Sequence, residues 1–253
     1  EIIPSFVSGW QSEAHDITDG GYFLYFNGTN FVWSAVAWDF KQLMIASVYR
    51  DGVNFCLREC HGLMDWQSHE SNHNNIGTYL KSGADVSGFI LNSDVATNRR
   101  PLISQALVYD EDLPTILPEL TNRLYSRLFL NGANNANLEN DKTDIVEYTA
   151  GNTFQYNLFT GGIWVKATAS NNQYAKVFLM AVPVTSDADC QKNRYIWIMP
   201  QTASPTLTAI QNLTPANLNL GQISTALAEY VFVQEFIIRA TSSGWTIVST
   251  AKL

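Results

Sequence analysis

The sequence predicts a mainly β protein made of antiparallel β-sandwich or jelly-roll-like domains, with long loops and little helix. Three observations predict it. Aromatic and β-branched runs of strand length recur along the chain. Turn residues of the Asn-Gly and Asp-Gly kind separate them. Charged residues make up 15% of the 253 positions, against about 25% in ordinary globular domains. A chain of this length buries a substantial core and accommodates two domains. The expected division is 1–108, an N-terminal β-rich domain with a histidine-rich loop, and 109–253, a C-terminal antiparallel β-sandwich.

Tyr22 to Phe26 and Phe31 to Trp33 read as strands joined by Asn27-Gly28-Thr29-Asn30, because Asn and Gly accept the positive φ of a tight hairpin. Asn27-Gly28-Thr29 and Asn212-Leu213-Thr214 match the glycosylation sequon, but read as turn residues first. Met44 to Tyr49 and Val53 to Leu57 make a second hairpin about Arg50-Asp51-Gly52. Cys56 and Cys60, four residues apart, would share one strand face as small buried hydrophobes. From Gly62 to Gly88 the pattern loosens into polar residues and glycines, as in a long loop or a short helix.

Arg99 to Pro118 reads as the junction between domains, with Asp110-Glu111-Asp112 set among Pro101, Pro114 and Pro118. Arg99-Arg100, the only adjacent basic pair, reads as a solvated turn. Leu120, Leu124 and Leu128 fit a helix face. Leu124, Ser126, Leu128 and Leu130 also alternate, and the turn Asn131-Gly132-Ala133-Asn134-Asn135 that follows favours a strand. Gly162 to Thr168, Lys176 to Val184 and Arg194 to Met199 are further strands, and Thr202 to Gln222 is an excursion over the surface. The final hairpin, Tyr230 to Arg239 and Trp245 to Val248 about Ser242-Ser243-Gly244, is apolar on both faces. It is therefore expected to be buried on two sides, inside a sandwich or against a neighbouring subunit.

Three of the four histidines, His61, His69 and His73, share one window with Cys56 and Cys60. Within it His69-Glu70-Ser71-Asn72-His73 reads H-E-x-x-H. On a helix that spacing sets two imidazoles one turn apart to hold zinc, with Glu70 beside them as general base. The surrounding residues from Gln67 to Asn75 are polar, and Ser and Asn favour caps and turns over helix interiors. After His73 no His or Cys follows until Cys190. The favoured reading is a solvated polar loop. A non-catalytic site on His61, His69 and His73 comes second, with a divalent metal ion as the one cofactor the sequence offers. A zinc metallohydrolase comes third.

A formal net charge of −8 argues against a nucleic-acid footprint, which needs clustered Lys and Arg. Three cysteines are too few for a disulfide framework. No apolar run of about 18 residues is present to span a membrane, and no secretion-signal pattern opens the sequence as given. These features set the expectation of an assembly made in a reducing cytoplasm.

The succession Gly21-Tyr22-Phe23-Leu24-Tyr25-Phe26-Asn27-Gly28-Thr29-Asn30-Phe31-Val32, the Asn-rich turns and the later Phe159-Thr160-Gly161-Gly162-Ile163-Trp164-Val165 resemble the fibre, spike and receptor-binding proteins of tailed bacteriophages. The resemblance implies a non-enzymatic virion component assembled in the host cytoplasm. It further implies a homo-oligomer, usually a trimer, that contacts other virion proteins and turns its loops towards a host surface glycan or protein. A cellular carbohydrate-binding module is the alternative from another class. Most of the aromatic rings are expected in the core or at subunit contacts, which leaves Trp10, Trp66 and Tyr79 as loop candidates.

Overall fold

The computed structural model describes residues 18–36, 43–51, 53–57, 66–111, 113–148, 153–183, 194–221, 223 and 229–253. The chain is mainly β, with several antiparallel sheets, as its residue pattern predicts. Strands β1 (Gly20–Phe26), β2 (Phe31–Ser34), β3 (Leu43–Asp51) and β4 (Val53–Leu57) form one sheet in the order β2-β1-β3-β4. Both hairpins expected here are present. Phe26 faces Phe31 across the first turn, where Gly28 has a φ of 96°, and Asp51 faces Val53 across the second.

Helix α1 (Trp66–Asn75) follows, then β5 (Thr78–Gly83), β6 (Val86–Ser87), β7 (Leu102–Ile103), β8 (Ala106–Asp110) and β9 (Leu113–Leu117). Strands β5, β8 and β9 pair in that order, and β6 pairs with β7. The segment expected to be a junction is therefore folded into sheets. Pro114 sits inside β9 opposite Tyr109, where an edge strand tolerates its missing N–H because only one side is paired.

Arg99 and Arg100 correct the expectation of a solvated turn. Arg99 is buried, donates from Nη1 to the Trp245 carbonyl at 2.6 Å and lies 4.6 Å from the centre of the Trp245 ring. Arg100 grips Asp144 with two bonds of 3.2 Å. Each arginine ties the first half of the chain to the second.

The largest sheet holds β10 (Tyr125–Asn131), β11 (Asn135–Lys142), β14 (Tyr174–Ala181), β15 (Tyr195–Ile198), β17 (Val231–Thr241) and β18 (Gly244–Lys252), in the order β11-β10-β15-β14-β17-β18. The short β16 (Ala203–Ser204) pairs with β14. Two strands between them in sequence, β12 (Gln155–Thr160) and β13 (Ile163–Thr168), make a separate two-stranded ribbon. One ladder departs from the antiparallel expectation, because β10 and β15 run parallel. Parallel neighbours need a long crossover, and the chain supplies it through β11, the ribbon and β14.

This large sheet is buried on both faces. Along β14 and its continuation Ala175, Val177, Leu179 and Ala181 enter one apolar cluster, while Phe178, Met180 and Val182 enter another, as the period of two dictates. The first cluster adds Trp197, Phe236, Ile238, Trp245 and Ile247 from the same sheet, with Ala84, Ile103, Ala106, Val108 and Leu117 from the small sheets above it. The second adds Leu128, Leu130, Ile196 and Ile198, with Trp164 of the ribbon and Leu220 and Ile223 of the excursion beneath. The final hairpin, expected to be buried on two sides, places Phe236, Ile238, Ala240, Trp245 and Ile247 in the first cluster, while on its other face Phe232 packs against the second and Glu235, Arg239 and Val248 stay half-buried. The division at 108/109 falls within β8, and residues from both sides of it share the first cluster. Among the described residues, the sheet of β1 to β4 contributes none to either cluster.

Two buried polar side chains fasten the outer pieces. Asn157 of β12 stands in for a strand partner. Its Oδ1 accepts the Leu130 N–H at 2.5 Å and its Nδ2 donates to the Leu130 carbonyl at 2.8 Å, which docks the ribbon on β10. Lys176 reaches the excursion, donating from Nζ to the Gln211 and Leu213 carbonyls at 2.9 and 2.7 Å and to the Glu235 carboxylate at 3.0 Å. The excursion itself contains helix α2 (Leu207–Gln211) and a 3-10 turn at Pro215–Asn217.

Candidate functional site

Within the histidine window, the part from Trp66 onwards is a helix where a solvated polar loop is the favoured reading. Helix α1 spans Trp66–Asn75, and its end follows from the sequence. Gly77 takes a left-handed φ of 60°, the Ile76 and Gly77 N–H groups close back on the Asn72 carbonyl, and Asn75 Nδ2 donates to the Ser71 carbonyl at 2.6 Å. The Ser and Asn residues that argued against a helix cost at most about 0.7 kcal/mol each relative to Ala. Contacts made by the last turn outweigh such a deficit.

Those contacts centre on His73. Its Nδ1 lies 2.9 Å from Glu229 Oε1 and 3.4 Å from Glu111 Oε1. The Thr78 hydroxyl donates to the other Glu229 oxygen, and Asp110 stands beside the same carboxyl. Four elements meet here: the end of α1, the start of β5, the end of β8 and the approach to β17. Asp110, Glu111 and Glu229 are all buried. Glu111 pays for its place with a left-handed φ of 54°, a conformation costing about 1 kcal/mol in a non-glycine residue, while its N–H donates to the Gly77 carbonyl.

Burial alone would raise the Glu229 carboxyl. Hydrogen bonds from His73, Asp110 and Thr78 outweigh that and hold it well below the usual carboxylate range. A carboxyl depressed by folding contributes stability above its unfolded value of about 4.5, and that contribution is lost as pH falls from there. Glu229→Gln is therefore expected to cost about 1–3 kcal/mol at pH 7, the usual range for losing a charged acceptor. In thermal unfolding from pH 7 to pH 3 the wild-type and variant curves should converge at the acid end. A gap of constant size would contradict this assignment.

Of the three candidate metal ligands, His61 lies outside the described residues. His69 stands on α1 one turn before His73, with its side chain outside the described ones. His73 is brought into the acidic cluster, with Nδ1 committed to carboxylates. Among the described residues no group of three His, Cys, Asp or Glu side chains is arranged to hold a metal ion. Cys56 pairs with Val48 in the first sheet, and Cys60 lies outside the described residues. Trp10 also lies outside them, as does the Trp66 side chain, while Tyr79 stacks on Tyr109 with ring centres 5.4 Å apart.

Sequence reasoning missed Glu229, Asp110 and Glu111 as partners of His73. One signal was present: Glu229 is a charged residue two positions before the long strand β17. The cluster clasps the helix to two sheets. Comparison of the chain with family models, with curated proteins and with solved structures finds no match. No helix among the described residues is long and apolar enough to cross a membrane.

Proposed function

We propose that the chain is a non-enzymatic structural or attachment component of a bacteriophage-type virion, assembled in the host cytoplasm as a homo-oligomer, with three copies as the expected number. One observation carries the reading. The β12–β13 ribbon leaves Phe159 and Ile163 54% and 47% exposed on either side of Gly161-Gly162, while Asn157 docks it on β10 and Trp164 enters the second cluster. Apolar side chains held out on a short ribbon gain by being covered, as they would be between subunits of an assembly. His73 is engaged in holding helix α1 to the sheets, which fits a structural role.

Fractionation of the source material tests the proposal. Particles purified by density gradient are expected to contain the chain at constant ratio to the other particle proteins, and an antibody against it should label one fixed position by electron microscopy. Recovery of the chain from the particle-free fraction alone would sink the proposal.

A further inference from the structure

We propose that the concavity between the end of β11 and the loop after it binds a saccharide unit bearing a carboxylate. The inference rests on the attachment reading above, since it names the chemistry of the surface the chain would contact. The concavity encloses about 190 Å³ and is lined by Arg127, Lys142, Thr143, Asp144, Glu147 and Tyr148.

Charge selects the ligand. Arg127 is paired with Glu139 at 2.5 Å, Asp144 with Arg100, and Glu147 with Lys166. Among the described residues Lys142 has no ion-pair partner in any of these contacts. The lining groups and their partners comprise Arg100, Arg127, Lys142 and Lys166 against Glu139, Asp144 and Glu147. Four cations less three carboxylates leave one positive charge, in a chain whose formal net charge is −8. One ligand carboxylate balances it at Lys142.

The carboxylates select what else the ligand carries. A phosphate dianion would exceed the single positive charge left over, whereas the hydroxyls of a sugar that carries one carboxylate donate to Asp144 and Glu147 and use the lone pairs their ion pairs leave over. The Thr143 hydroxyl, already donating to Asp144 at 3.1 Å, keeps acceptor capacity for a further hydroxyl. Tyr148 is 41% exposed at the rim and offers an aromatic face to the apolar side of a sugar ring. The floor is rigid, because Asp144 is buried and held by both Arg100 bonds.

The test titrates the full chain with sialyllactose, a galacturonate trisaccharide and neutral lactose, read by saturation-transfer NMR and calorimetry. The acidic sugars are expected to bind at least about tenfold more tightly than lactose, a difference of about 1.4 kcal/mol. Lys142→Ala and Tyr148→Ala should each weaken binding by a similar factor without moving the melting temperature, and Lys142→Arg should restore it. Equal binding of lactose, no binding of any of the three, or binding indifferent to both substitutions would overturn the inference. Particle association is measured separately. A chain found in particles that binds none of the sugars refutes the site and leaves the virion reading standing, and sugar binding by a chain absent from particles does the reverse.

Discussion

Replacing Trp197 by alanine is expected to cost about 3–5 kcal/mol, a large part of the roughly 5–15 kcal/mol that stabilises a typical domain. Trp197 is fully buried at the centre of the first apolar cluster, with its ring centre 5.2 Å from that of Phe236 and 6.3 Å from that of Tyr125. It sits in β15, so its loss opens a cavity between the large sheet and the small sheets above it. Denaturant unfolding should show a lower midpoint with an unchanged slope, since the surface exposed on unfolding barely alters. Trp197→Phe should keep most of the stability. A loss below about 1 kcal/mol for the alanine variant would mean that the large sheet does not hold the core.

Lys176→Met is expected to have an effect of similar size by a different route. Its amine is almost wholly buried and satisfies two main-chain carbonyls and the Glu235 carboxylate. Removing one member of such a pair strands the other charge, which costs about 3–5 kcal/mol. The double variant Lys176→Met, Glu235→Leu should recover part of the loss, because no lone charge then remains, although the Gln211 and Leu213 carbonyls still lack a donor. Amide exchange across 207–213 should quicken in both variants. Unchanged exchange there would show that the excursion is held by its apolar contacts alone.

The Arg99-Arg100 pair shows why part of this fold escaped the sequence. As text it is two adjacent cations beside a proline, and its destinations, the Trp245 carbonyl and Asp144, lie far along the chain. The same holds for His73 and Glu229. The H-E-x-x-H spacing correctly raised the prospect of a helix, yet the polarity of Gln67 to Asn75 argued for a loop, because propensity weighs each residue without the carboxylates that receive it. The expected boundary at 108/109 falls inside β8. Pro114 interrupts pairing on one side only, and an edge strand can absorb that.

What the residues themselves determine here is local: the mainly β class, the hairpins about Asn27-Gly28, Asp51-Gly52 and Asn131-Gly132, the alternation of the final strands and the stop at Gly77. These follow from φ preferences and a period of two, which a few neighbouring residues are enough to express. Tertiary structure alone decided the parallel pairing of β10 with β15, the cover on both faces of the large sheet and the meeting of His73 with Asp110, Glu111 and Glu229. Each of these sets side chains from distant segments against one another. Their selection depends on how volumes and charges fit once the sheets stack, and that information is spread over the whole chain.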